Sequence, residues 1–309
     1  MVQLTLPGEA PVKLIDPFVQ LFLGKDHLTI PGPREAYRDE YSLARWPSPD
    51  VVGYLFRKSF ADTPEARAAQ DEKNRIGSNL DLWLAQLDRY NIAMGGVGLS
   101  CDDPDETFDR LSPHADRIFV TLRVDPHSGM RGIRRLGDLA SRYKFIRSVQ
   151  MSPFSIYPFL HLNSKEMYPV YAKCVELDLA VFVNVGFPGP RIPAWTQDPI
   201  HLDEVCWFFP DLRVVMRHGG EPWEDVCVKM LLRWEHLYYA PTAMAPRHYP
   251  QAIKDYLRTR GGDKIMFAGY WPALSYDRVF AELSEYDLKP ETWPRFLAGN
   301  ARRAFRLPE

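Results

Sequence analysis

The sequence predicts one domain folded as a (β/α)8 barrel, the TIM-barrel class. Three observations predict it. From about residue 91 onward, short apolar runs alternate with longer amphipathic segments. Counting an apolar run at 12–16, the strand candidates reach eight. The chain has 309 residues, a common length for one barrel domain. Eight strand-then-helix units in a chain of this size favour a closed parallel barrel over an open sheet.

The predicted strands, in order, are 12–16, 92–99, 118–123, 145–151, 180–184, 213–216, 237–240 and 264–267. The second carries Gly95, Gly96 and Gly98. The fifth, Ala180-Val181-Phe182-Val183-Asn184, is almost continuously apolar, as a strand covered on both faces should be. Between the strands, Leu80, Leu84 and Leu87 mark one face of a first packing helix. Further helices are predicted at 105–111, 131–143, 167–178, 199–209, 222–234 and 248–258. Pro169 is tolerated in a first turn, and a terminal helix over 292–305 closes the domain. Residues 24–76 break the rhythm with Pro31, Pro33, Pro47, Pro49 and two charge clusters. They read as an insertion after the first strand, partly helical, over the barrel mouth.

Composition excludes several classes. Hydrophobic residues make up 46% and charged residues 25%, an ordinary globular balance. A net charge of −2 offers no basic surface for nucleic acid. No stretch reaches the roughly 18 apolar residues of a membrane span, and Met1-Val2-Gln3-Leu4 does not open a secretory signal. The four cysteines are far apart with no CxxC pair, so a disulfide framework is not expected and the cytoplasm is the expected address. The 27 prolines and 13% aromatic residues suggest shaped loops around a pocket on a rigid core.

Several segments together resemble the amidohydrolase-related family that includes aminocarboxymuconate-semialdehyde decarboxylase and resorcylate-type decarboxylases. The run from Met167-Tyr168-Pro169 to Asn184-Val185-Gly186 is similar to the helix–strand unit that ends in the family's His-x-Gly. Arg217-His218-Gly219-Gly220 resembles its His-x-Gly turn after the sixth strand. Phe267-Ala268-Gly269-Tyr270-Trp271-Pro272 is similar to its Phe-Gly-Ser-Asp-Trp-Pro, and Asn300-Ala301-Arg302-Arg303-Ala304-Phe305 to its terminal signature. The resemblance implies a divalent metal at the carboxyl ends of the strands. Its ligands would be a His-x-His on the first strand, histidines on the fifth and sixth, and an Asp on the eighth. Here those positions hold Phe18 and Gln20, Asn184, His218 and Tyr270. One imidazole among a phenyl, two amides and a phenol is a poor zinc site, so no metal and no other cofactor is expected. His127, His201, His236 and His248 form no HxH or HExxH spacing, and His201-x-Asp203 reads as a helix cap.

The candidate catalytic residues are therefore His218, Tyr270 and Asn184. Histidine suits proton transfer near neutrality, and a phenol can donate to a developing oxyanion in a water-poor site. Each has a plainer reading: His218 as a strand-end cap, Tyr270 as filler of the lost ligand space, Asn184 and Gln20 as partners of their neighbours. Arg123 and Arg217 end strands, where a barrel keeps its functional residues, and either can clamp a carboxylate. A salt bridge is the plainer reading for both. Gln20, Phe18, Glu221, Trp223 and Trp271 are candidate substrate-binding residues at the mouth, and Tyr157 belongs to a candidate lid loop. Asp16 reads as structural or functional. Arg247-His248, after the seventh strand, is a weaker candidate.

Three functions are open at this point. The first is a metal-independent hydrolase, or a lyase or isomerase driven by proton transfer, acting on a small cyclic or aromatic carboxylated compound. The second is a catalytically inactive relative that serves as a binding or assembly subunit. The third is a metal-dependent decarboxylase or hydrolase with unusual ligands. The polar replacements favour the first, since drift into a dry plug favours Leu or Val. A small-molecule substrate is the expected partner, with no nucleic acid and no membrane; relatives in the family it resembles are often dimers, which leaves a homodimer open.

Overall fold

The computed structural model describes residues 13–19, 79–188, 193–272 and 274–309. Gln20 and the insertion expected at 24–76 lie outside the described residues. The fold is the β/α barrel class that the alternation predicts. Seven parallel strands form one sheet in sequential order: β1 (Leu14–Val19), β2 (Ile92–Ser100), β3 (Ile118–Arg123), β4 (Ile146–Met151), β5 (Ala180–Asn184), β6 (Val214–Arg217) and β7 (Leu237–Ala240). The intervening helices are α1 (Leu80–Arg89), α2 (Asp105–Leu111), α3 (Gly129–Arg142), α4 (Tyr168–Glu176), α5 (His201–Phe208), α6 (Glu224–Arg233), α7 (Gln251–Thr259) and α8 (Tyr276–Leu283). A π-helical turn, Arg295–Gly299, leads into α9 (Asn300–Phe305).

The eighth strand departs from expectation. Among the described residues, 264–267 form one bridge, Ile265 to Tyr239 of β7, rather than a ladder. Beyond it, Phe267 N–H donates to Phe296 O at 2.7 Å, so its ladder partner is the terminal helical run. The seam to β1 is closed by a side chain instead. Asp16 Oδ1 accepts from Gly269 N–H at 2.9 Å and Phe18 N–H at 3.2 Å, while Oδ2 accepts from Tyr276 O–H at 2.8 Å. A Cβ at residue 269 would lie 2.2 Å from that carboxylate, which is why glycine stands there. Asp16 is therefore a structural tie.

Strand alternation separates two apolar clusters. Val181, Val183, Val214 and Met216 face the helices in the larger one. Phe182, Val215, Ile15, Met94, Phe119 and Met266 point to the opposite, inner face, where Phe305 of α9 packs on Phe119 and Phe182 at ring distances of 5.2 and 5.7 Å. All four cysteines are buried and free. Among the described residues, no helix is long and apolar enough to cross a membrane.

Candidate active site

Continuing the two-residue period of the inner face toward the strands' carboxyl ends exchanges the apolar plug for a polar layer. Phe182 gives way to Asn184, Val215 to Arg217, and Phe119 to Thr121 and then Arg123. Thr121 and Ser148 hydroxyls bond to each other at 2.6 Å. The polar layer thus lies where a barrel keeps its chemistry.

Arg217 sits at its centre, with only 3% of its surface exposed. Its Nε donates to Asn184 Oδ1 at 2.5 Å and its Nη2 reaches Ser152 Oγ at 3.4 Å. Ser152 Oγ also donates to Asn184 Oδ1 at 3.0 Å and accepts from Gln150 Nε2 at 2.8 Å. The guanidinium carbon lies 4.5 Å from the centre of the Phe18 ring and 5.1 Å from that of Phe182, within cation–π range. Nη1 has no hydrogen-bond partner among the described residues. A salt bridge is the plainer expectation for Arg217, and among the described residues no carboxylate pairs with it. Burial, the largest effect, and the nearby charge of Arg123 push its pKa down to about 9, opposed by Tyr270. It remains a cation at neutral pH.

His218 follows directly, with φ at +78°, and Tyr270 has φ at +102°. Both are non-glycine residues in a sparsely populated backbone region, a kind of strain that concentrates at functional sites. The His218 turn is held from β7, where Tyr239 O–H lies 2.6 Å from His218 O and 2.8 Å from Gly219 O. His218 Nδ1 bonds Thr242 Oγ1 at 2.7 Å, which leaves Nε2 as the nitrogen available for proton transfer. Burial first, then the Arg217 charge, hold the imidazole well below its ordinary pKa, so it is neutral at pH 7. Phe18 joins the parts: it stacks on Tyr270 at 5.3 Å and meets His218 edge-on at 6.3 Å.

The other sequence candidates fall into three groups. Asn184 is 2% exposed and its carbonyl accepts from Arg217 and Ser152, so its Oδ1 positions Arg217, while its Nδ2 is the group that would donate to a substrate oxygen. Trp271, expected at the mouth, is 1% exposed within the large apolar cluster, a correction that follows from its burial. Trp223 stacks on the exposed Phe187 at 6.4 Å, and Tyr157, 40% exposed, packs on Phe159. Glu221 is half-buried over Gly219, with burial raising its carboxyl pKa. Arg123 is half-buried at the end of β3. His201 bonds His161 at 2.8 Å and Asp203 accepts from Trp234 Nε1 at 2.8 Å, so that pair is not a cap. Sequence reasoning missed Ser152, Thr242 and Tyr239; the first two are polar residues just past strand ends, which is the signal that could have found them.

The sequence profile described as amidohydrolase matches residues 39–307. The chain belongs to the amidohydrolase family. Solved structures share the fold. An uncharacterised TIM-barrel protein from Bordetella bronchiseptica is 20% identical, with a TM-score of 0.71, over 96% of this chain and 99% of that one. The 5-carboxyvanillate decarboxylase of Sphingomonas paucimobilis is 14% identical, TM-score 0.61, over 96% and 100%. A dihydroxybenzoic acid decarboxylase from Polaromonas sp. JS666, with bound manganese and the inhibitor 2-nitroresorcinol, is 13% identical, TM-score 0.60, over 96% and 97%. No curated protein matches the chain.

A divalent ion does not fit the donor set that the described residues supply. Phe18 has no lone pair to give, the Asn184 carbonyl is occupied, and a guanidinium stands against both. Among the described residues no group of three or more His, Cys, Asp or Glu converges on a point.

Proposed function

We propose that this amidohydrolase is a metal-independent enzyme acting on a small cyclic or aromatic carboxylated compound at the carboxyl-terminal mouth of its barrel. One observation carries the reading: a histidine held neutral by burial, with Nδ1 bonded to Thr242, stands beside a buried cation that has no carboxylate partner among the described residues. That is an arrangement for handling an anion and a proton together. His218 Nε2 takes the proton as general base, or returns it as general acid. Tyr270 is the candidate donor to an oxygen that gains charge, and arginines at the ends of β3 and β6 hold the anionic group. Hydrolysis, or a lyase or isomerase step driven by proton transfer, uses these groups without further help. The decarboxylases of carboxylated aromatics among the similar folds support the substrate class.

The competing reading, a non-catalytic binding subunit, draws on Asn184, whose carbonyl is taken up by Arg217 and Ser152. The test is metal content by plasma mass spectrometry, together with turnover of a panel of aromatic acids, esters and lactones. Substoichiometric zinc, manganese and iron are expected, with turnover that survives chelator and disappears in His218→Asn. A stoichiometric metal whose removal abolishes turnover would falsify the metal-free reading. An inert panel would favour the binding subunit.

A further inference from the structure

Arg217 is an anomaly for a protein interior. Burying a charge without a counter-charge costs several kcal/mol, and buried arginines ordinarily meet a carboxylate. Arg217 is 3% exposed, and its polar partners are a carboxamide and a hydroxyl, both neutral. Its aromatic contacts return only about 0.5–2 kcal/mol each. Arg123 adds a second positive charge nearby. Nothing among the described residues compensates for the charge.

The way the guanidinium is held indicates what would compensate for it. Asn184 occupies the Nε edge, so the side-on face of the fork is taken. The end-on edge, Nη1 and Nη2, has one long contact to Ser152 and none at Nη1. A carboxylate offers two coplanar oxygens that match such an edge. Around the cation stand Phe18, stacked on Tyr270, and the imidazole of His218. The planar shape of the ligand is carried over from the aromatic-substrate reading above.

We propose that Arg217 is the anion receptor of this site, a fixed guanidinium that takes the carboxylate of a small planar ligand end-on through Nη1 and Nη2, at the centre of positions 18, 184, 218 and 270. The inference rests on the carboxylated-substrate reading above and adds which arginine is the fixed receptor and which edge of its guanidinium meets the carboxylate. Asn184 and Ser152 are then positioning residues, which fix the fork so that the ligand meets a prepared edge. The cation is carried unpaired in the free protein and paired in the complex.

The test is a calorimetric titration of benzoate, with neutral benzamide as control, into the wild type, Arg217→Met, Arg217→Lys and His218→Asn, alongside their melting temperatures. Benzoate is expected to bind the wild type and His218→Asn about tenfold or more tightly than benzamide, the scale of a charge-assisted pair. Arg217→Met should lose that preference, and Arg217→Lys should keep a weakened form of it. Without ligand, Arg217→Met should melt at or above the wild-type temperature, because an apolar side chain replaces an uncompensated buried charge. Three results would overturn the proposal: equal affinity for benzoate and benzamide, benzoate binding that survives Arg217→Met, or a lower melting temperature for Arg217→Met. Benzoate binding without turnover of any panel compound would leave the receptor standing and remove the enzyme reading.

Discussion

At the scale of single residues, the site couples a proton to a charge. The His218 imidazole is kept neutral by burial first and by Arg217 second. Taking away the positive charge must therefore raise its proton affinity part of the way, with burial keeping the rest of the depression. Histidine-selective nitrogen NMR across pH 5–8 (a window about the free imidazole value) reads this directly. In the free wild type, His218 is expected to remain neutral through most of that range. In Arg217→Met its midpoint should move upward, and saturating benzoate should move the wild type the same way. A midpoint indifferent to both changes would mean that the two groups do not sense each other. Thr242 belongs to the same argument, because its hydroxyl fixes Nδ1. Thr242→Val should lower kcat with little change in KM, the pattern of a positioning residue.

At the scale of elements, the decisive unit is the turn after β6, which sets His218 at a positive φ. β7 holds that turn from outside through the Tyr239 hydroxyl, shared between two carbonyls. Tyr239→Phe leaves both carbonyls short of a partner in a buried place, a loss of about 1–3 kcal/mol. Urea unfolding should show that loss, and kcat should fall as the His218 turn relaxes. Unchanged stability would mean that the backbone holds the turn unaided. The same scale explains what the sequence made legible. β5 is readable because strands buried on both faces are continuous apolar runs. The eighth position is not, because its partners are the Asp16 side chain and the Phe296 carbonyl, and local pattern carries no trace of either. Helix α8 was readable: Tyr276, Val279, Phe280 and Leu283 keep helical spacing, and Ser275 caps it, but a reading centred on strands passes over it. At the site, motif order brought out His218, Tyr270 and Phe18. That no described residue gives Arg217 a counter-charge depends on what residues far away in sequence do not supply, so only the assembled fold reveals it.

At the scale of the whole molecule, one buried carboxylate joins the two ends of the barrel. Asp16 of β1 receives the amide of Gly269, 253 residues away, and the hydroxyl of Tyr276 at the start of α8. Burial pushes its pKa from 3.8 up to about 6, against the three hydrogen bonds that pull it down. The sign of the consequence follows from proton counts. Between about pH 4 and 6 the folded chain holds a proton at Asp16 that the unfolded chain has released, so this group's contribution to stability falls as pH rises through that window. Above it, the cost of a buried anion is present in full, about 3 kcal/mol for a shift of about two pH units. Asp16→Asn keeps the shape and an acceptor for Gly269 but cannot ionise. Its stability relative to the wild type should therefore improve on going from pH 4 to pH 7, by up to about 3 kcal/mol. Asp16→Ala should be destabilised at both pH values, because the Gly269 amide and the Tyr276 hydroxyl lose their shared acceptor. Chemical denaturation of the three proteins at the two pH values decides it. A constant gap between wild type and Asp16→Asn would show that the carboxyl titrates alike in both states, and that the seam of the barrel is closed by geometry without any linkage to protons.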